Sequence, residues 1–147
     1  MADRAVIAEF NLKLAEETEA LALNPALVAV GVERLLRDQR KGLYYVAEVD
    51  RAVVGQLMIT YEWSDWRNGN IWWLQSVYVT PQFRRRGIFR ALFNHITSLA
   101  RADEEVCGVR LYMHDENAAA RKSYLELGMK PTHYQVFEMG FPPRQGP

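Results

Sequence analysis

Three consecutive arginines, Arg84-Arg85-Arg86, stand directly before Gly87 and an apolar periodic run of Phe89, Leu92, Phe93, Ile96 and Leu99. That order sets cationic side chains beside the start of a helix, whose first N–H groups have no internal partner and carry the positive end of the dipole. Binding of a phosphate or pyrophosphate is the chemistry this favours. Arginine tripeptides also occur on solvated surfaces, so the loop taken alone reads both ways. Asn117 and Tyr124, further along, are seven residues apart. On a helix they share one face, about 10 Å from each other. A phenol with a pKa near ~10 stays protonated at neutral pH and can donate a proton. Equally, Tyr124 beside Ala120 and Leu127 is a core aromatic at helical spacing.

Aromatic residues gather at Tyr61, Trp63, Trp66, Trp72 and Trp73. They serve either packing or a wall for a cationic amine, where a tryptophan face attracts charge. His95, His114 and His133 lack the spacing of metal ligands, and the adjacent His114-Asp115-Glu116 cannot all face one ion. Cys107 is the only cysteine. It excludes an internal disulfide, fits a reducing compartment, and reads as a packing residue before a buried strand.

These residues need elements to position them. The spacing of Ile7, Phe10, Leu14 and Leu21 predicts a helix over 4–20. Asn24-Pro25 starts a second, running to about Arg40 with Val28, Val32, Leu35 and Leu36 inward. Leu43–Val49 and Ala52–Trp63 form a hairpin about Asp50-Arg51. Ile71–Val79, apolar on both faces, is the central strand. A third helix runs from Gly87 to about Ala102, a short strand covers Val109–Met113, and a fourth helix spans about Glu116–Leu127, ending at Gly128. His133–Met139 reads as a last strand, and Phe141–Pro147 as a fraying tail. The sum is one domain over 1–147: an α/β mixed, mostly antiparallel sheet with helices on both faces.

Lys plus Arg and Asp plus Glu number 18 each. Neutral charge and no basic face argue against nucleic acid. No apolar run reaches bilayer length and no leader is visible, so the expected place is the cytoplasm, with no membrane partner.

Strand, arginine-glycine loop, helix, strand, then Asn117 to Met129 resembles the GNAT (GCN5-related N-acetyltransferase) superfamily. The family's loop pattern, Gln/Arg-x-x-Gly-x-Gly/Ala, falls on Arg84-x-x-Gly87-x-Phe89, and its later asparagine, tyrosine and glycine on Asn117, Tyr124 and Gly128. The match covers about residues 43–139. Phe89 replaces the usual small residue, and Arg85 stands where glycine is common. The family's strand before the first helix has no counterpart in Met1–Arg4, so the sheet has one strand fewer or makes that edge otherwise.

The resemblance implies acetyl-CoA as co-substrate, without a metal, and direct transfer of acetyl to an amine. Arg84, Arg85, Arg86, Gly87, Ile88 and Phe89 would then hold the pyrophosphate. The backbone of Val77, Tyr78 and Val79 would bind the pantetheine as an added strand, with a backbone N–H at Tyr78 or a neighbour polarising the thioester. Asn117 would hold the cofactor, and Tyr124 would also protonate the thiolate. The family's usual glutamate position is Gln75 here, which cannot take a proton but can orient the amine or a water. Glu62 is the base we expect; Asp65, Glu16, Glu17, Glu19 or a water chain are alternatives.

The aromatic and acidic wall, together with similarity to the diamine-type branch, points to a small-molecule amine acceptor. A homodimer is expected by analogy with relatives. A protein or peptide N-acetyltransferase, or a silent acyl-CoA-binding module, stands as the rival reading.

Overall fold

The computed structural model describes residues 3–141. Two compact units divide it, one up to Tyr112 and one from Met113.

The first unit opens with α1 (Arg4–Glu19) and α2 (Pro25–Arg37). Asn24 caps α2 by accepting from the Ala26 and Leu27 N–H groups, with Pro25 in the first turn, as the sequence predicts. Ile7, Phe10 and Val32 are buried, whereas Leu21 lies past the end of α1 and is exposed. No strand precedes α1 among the described residues.

Four strands follow in spatial order: β1 (Leu43–Val49), β2 (Ala52–Ser64), β3 (Gly69–Val79) and β4 (Val106–Arg110). Asp50 (φ 50°) and Arg51 (φ 67°) give the β1–β2 hairpin two left-handed residues, the twist a tight hairpin needs. β2 ends one residue later and β3 begins two residues earlier than expected, leaving residues 65–68 as their connection. β3 pairs antiparallel with β2 and parallel with β4. The parallel pair requires a crossover, supplied by α3 (Ile88–Ala102). Position 42 admits only glycine: φ is 149° and a Cβ would lie 2.2 Å from the Ile59 carbonyl oxygen.

The hairpin register sorts side chains to the two faces. Leu43, Tyr45, Leu57, Ile59, Leu74 and Trp72 share one face, where Tyr45 meets His95 of α3 with ring centres 5.7 Å apart. Tyr44, Gln56, Thr60, Glu62, Ile71, Trp73 and Gln75 share the other, where Asn11 of α1 donates to the Tyr44 hydroxyl at 2.9 Å. Leu57, Ile59 and Ile96 are fully buried. Each such side chain contributes about 2 kcal/mol relative to exposure. Phe89 is only half-buried and Leu99 exposed; Leu92, Phe93, Ile96 and Ala100 form the inward stripe of α3.

Two expectations need correction here. The fourth strand lies at Val106–Arg110, not Val109–Met113, because it must run alongside Asn70–Trp73 to complete its ladder. Cys107 therefore sits on β4, exposed, with its thiol donating to the Asn70 carbonyl at 3.5 Å.

In the second unit α4 spans Ala118–Glu126. Gly128 (φ 88°) closes it: the Gly128 and Met129 N–H groups each donate at 3.0 Å, to the Leu125 and Tyr124 carbonyls. The last strand expected at His133–Met139 is not formed. Its alternation suits a strand, but a strand exists only with a ladder partner, and none is present among the described residues. Tyr134, Val136, Phe137, Met139 and Phe141 are 69–89% exposed. Most of the expected fraying tail lies outside the described residues.

Candidate active site

β3 changes character midway. Asn70 to Trp73 pair with β2 and β4 alike, but pairing with β4 stops at Trp73 and Arg110. Beyond that point β3 pairs with β2 alone among the described residues, so its outer edge from Leu74 to Val79 has no strand partner there. The change coincides with a bulge. Met58 faces Gln75 and Gln56 faces Tyr78, so three steps on β3 match two on β2. Ser76 takes up the extra residue in a left-handed conformation, φ 49°.

The ladder also says which groups face the open edge. The Thr80 N–H donates to the Val54 carbonyl at 2.9 Å. Alternation then turns the Tyr78 backbone to β2 as well, and the backbones of Val77 and Val79 outward. The neighbours of Tyr78, rather than Tyr78 itself, offer the N–H groups that the sequence reading sought. The Tyr78 side chain packs on α1, 5.0 Å from the Phe10 ring.

After Val79 the chain makes a 3₁₀ turn at Pro81–Phe83 and enters α3 through Arg84 to Gly87. Gly87 is the N-cap at φ 83°; no side chain caps α3, and its first turn holds no acidic residue. Nothing in the helix start competes with an anion. The three arginines divide their tasks. Arg84 is a strut: its Nε donates to the Val79 carbonyl at 2.9 Å and its Nη2 pairs with Glu17 of α1. Tyr78 donates its hydroxyl to the other Glu17 oxygen at 3.0 Å. Burial pushes the Glu17 carboxyl up, but Arg84 and Tyr78 outweigh it and leave the group below the ordinary range. Arg85 (φ 59°) and Arg86 are exposed, with Arg86 over the Phe83 ring at 4.9 Å. Arg84 thus braces the loop against α1, while Arg85 and Arg86 stand exposed beside the start of α3.

On the α1 face, beside the open edge, Glu62 accepts from the Trp73 indole N–H and from Arg110 at 3.4 Å. Arg110 lies 5.6 Å from the Trp73 ring centre, and Tyr112 is 5.9 Å from the same ring. Gln75 donates to the Thr60 hydroxyl at 2.6 Å. The structure thus brings Glu62, Trp73 and Gln75 onto one face, while Trp66 is 89% exposed in the β2–β3 loop and Tyr61 and Trp72 turn to the α3 face. Glu16 and Glu19 are exposed, as is Asp65, which accepts from the Trp66 N–H at 3.0 Å.

In the second unit Asn117 is the N-cap of α4, its Oδ1 accepting from the Ala120 N–H at 3.0 Å. Tyr124 is half-buried, and burial raises its pKa above the ordinary tyrosine value. It is a phenol that keeps its proton through the neutral range.

An open strand edge leading into an uncapped, arginine-flanked helix suits a long ligand with amides at one end and phosphates at the other. Comparison with known proteins agrees. The model of the acetyltransferase (GNAT) family matches residues 12–129. The chain belongs to the GNAT acetyltransferase family. Among curated proteins none matches it significantly.

A possible acetyltransferase from Clostridium difficile 630 is 48% identical in sequence, with a TM-score of 0.90, 96% of this chain and 93% of that one being covered. A predicted acetyltransferase from Clostridium acetobutylicum, solved with acetyl-CoA, shares the fold at 14% identity and a TM-score of 0.76, over 95% and 91% of the two chains. AAC(6')-Iy, in complex with the bisubstrate analog CoA-S-monomethyl-acetylneamine, shares it at 16% identity and a TM-score of 0.72, over 92% of each. GNAT members use acetyl-CoA, and this chain is an acetyl-CoA-dependent acetyltransferase.

Within this GNAT framework the residues that sequence reasoning missed are those acting at a distance along the chain. Arg110 is tied to Glu62, and Gln56 to Asn11 and Ser76, while Glu17, expected only as an alternative base, is tied to Arg84. Gln56 alone carried a signal: it is the one polar side chain between Val53-Val54-Gly55 and Leu57-Met58-Ile59.

Proposed function

We propose that this GNAT enzyme transfers acetyl from acetyl-CoA directly to the amine of a small molecule. The observation that carries the reading is the bulged open edge of β3, which ends at the uncapped start of α3 and adjoins the face holding Glu62, Trp73 and Gln75. Val77 and Val79 would bind the pantetheine, and Arg85, Arg86 and the N–H groups from Gly87 to Phe89 the pyrophosphate.

The amine nitrogen attacks the thioester carbonyl carbon, the C–S bond breaks, and the thiolate takes the proton of Tyr124, with Asn117 as its partner on the family's pattern. The proton lost by the amine goes to Glu62. Both Glu62 oxygens already accept from protein donors, so a water beside Gln75 relays it. The tryptophan face and Glu62 support a cationic acceptor, with Arg110 offsetting part of the negative charge.

The same proposal takes the chain as one functional domain of a cytoplasmic enzyme; among the described residues no helix is long and apolar enough to cross a membrane. It also takes the enzyme as a homodimer. Among the described residues each copy offers an exposed segment with apolar Val136, Phe137, Met139 and Phe141, and a β4 strand paired with β3 alone. A segment and an edge of that kind pair by strand addition between copies.

Calorimetry with acetyl-CoA and a screen of amines by thiol release test the activity: a chain that binds acetyl-CoA but acetylates only peptides would replace the small-molecule reading. Tyr124→Phe tests the acid. Turnover falls about 10- to 100-fold with acetyl-CoA affinity held. The high-pH limb of the rate profile, which for the wild type lies above the ordinary tyrosine pKa, disappears. An unchanged rate would remove Tyr124 from the chemistry.

A further inference from the structure

Gln56 is fully buried on β2, and its carboxamide is the only buried polar side chain among the described residues. Its Nε2 donates twice, to Asn11 Oδ1 at 2.8 Å and to the Ser76 carbonyl at 3.2 Å. Asn11 in turn donates to the Tyr44 hydroxyl at 2.9 Å, so the amide is fixed from both α1 and β1. Gln56 Oε1 is buried with no hydrogen-bond donor.

For stability alone this is a poor choice of residue. A methionine of the same length would fill the space and remove the orphaned Oε1, although Asn11 Oδ1 and the Ser76 carbonyl would lose the donor they share. What the carboxamide adds is its grip on Ser76, the residue whose left-handed φ of 49° makes the bulge. That conformation is costly for any residue with a Cβ and persists only where neighbours hold it.

The grip has a directional consequence. The Ser76 carbonyl and the Val77 N–H belong to one planar trans peptide, so the two groups point in opposite directions. Gln56 reaches the carbonyl from the α1 face of β2 and fixes the plane of that peptide, whose Val77 N–H the ladder turns to the outer edge. A hydrogen bond to the carbonyl also polarises the peptide and strengthens its N–H as a donor.

We infer that Gln56 is a positioning residue for acetyl transfer, holding the Ser76–Val77 peptide so that the Val77 N–H polarises the thioester carbonyl. Val77 acts on the substrate, Gln56 acts through Val77, and Asn11 fixes Gln56. This rests on the acetyl-transfer reading above.

Gln56→Met is the test. The variant folds with a Tm lowered by about 3 to 8 °C, since two acceptors lose their donor while one orphaned acceptor leaves. Its kcat falls about 10- to 100-fold, short of the hundredfold or more that outright loss of such a donor costs. KM for acetyl-CoA moves less than about threefold, because the pyrophosphate end is untouched. The Val77 amide resonance of the ligand-free protein shifts.

A folded Gln56→Met enzyme with wild-type kcat, or an unmoved Val77 resonance, would overturn the inference. Should the methionine variant not fold, Gln56→Glu decides. Its carboxylate has no proton for Ser76, but its acid form does, so activity relative to wild type rises as pH falls. A flat ratio would equally overturn it. Failure of the wild type to bind acetyl-CoA would strike the functional reading instead, while the Val77 resonance, needing no substrate, still reports on the grip of Gln56.

Discussion

The two halves of β3 are both rich in apolar residues, yet one is core and the other is site. From Asn70 to Trp73 each residue has a neighbour strand on both sides, and Ile71 and Trp72 are buried. From Leu74 to Val79 the strand is paired, among the described residues, only with β2. The side chains differ little in character; the backbone differs a great deal. One residue, Ser76, separates two ladder registers, and in our proposal the groups of the edge beyond it are the ones that bind. A sheet edge is usually a hazard for aggregation. In the proposed site the adjacent helix start would confine it to a ligand with amides and phosphates.

Removing the bulge is the strongest way to break this contrast. Deleting Ser76 leaves Gln75 opposite Met58 and Tyr78 opposite Gln56, now two steps apart on both strands. Tyr78 keeps its face and the ladder becomes regular. We expect the folded state to change by about 1 kcal/mol or less, as relief of the left-handed residue offsets local repacking. We expect kcat/KM with acetyl-CoA to drop about a thousandfold, because the Val77 N–H loses both its position and its polarising partner. Steady-state kinetics beside chemical denaturation would show it; retained turnover would mean that the bulge does not divide the halves.

A change in the paired half should do the reverse. Ile71→Val removes one methyl group from a buried site, costing about 1 kcal/mol in the denaturation midpoint. Its kcat/KM should stay within about twofold of wild type. A larger kinetic than thermodynamic effect there would show that the core half also shapes the site.

How visible this was in the amino-acid sequence follows the range of the interactions. The start of α3 was legible, because Gly87 and the apolar spacing after it are local signals. So were the cap at Asn24 and the turn at Asp50-Arg51. The bulge was not. In a run apolar on both faces, a one-residue shift leaves no mark on the hydrophobic pattern, since either register buries something suitable. Arg84 was read as a phosphate ligand because its partner Glu17 is 67 residues away and looks like a surface carboxylate. The segment after Pro131 has the alternation of a strand, but the alternation does not say which strand it pairs with.

The coupling of Arg84 to Glu17 gives the smallest expected effect and tests whether the loop is shaped from α1. Arg84 and Glu17 are both about two-fifths exposed, so solvent screens the pair, and its loss in Glu17→Gln should cost well under about 1 kcal/mol. The sign with pH is fixed by the depressed Glu17 carboxyl. A carboxylate held below its unfolded pKa stabilises the folded state above that pKa, and the contribution is lost as pH falls through the folded value. The stability difference between Glu17→Gln and wild type is therefore largest near neutral pH and vanishes in acid below the ordinary carboxylate range. The kinetic signature is distinct: with Arg84 released, the loop loses the conformation that presents Arg85, Arg86 and the α3 N-terminus together. KM for acetyl-CoA should rise about threefold while kcat holds, since the thioester end is set by Ser76 and Gln56 rather than by the loop. A change in kcat with KM unmoved would place Glu17 with the open half of β3 instead of with the phosphate loop.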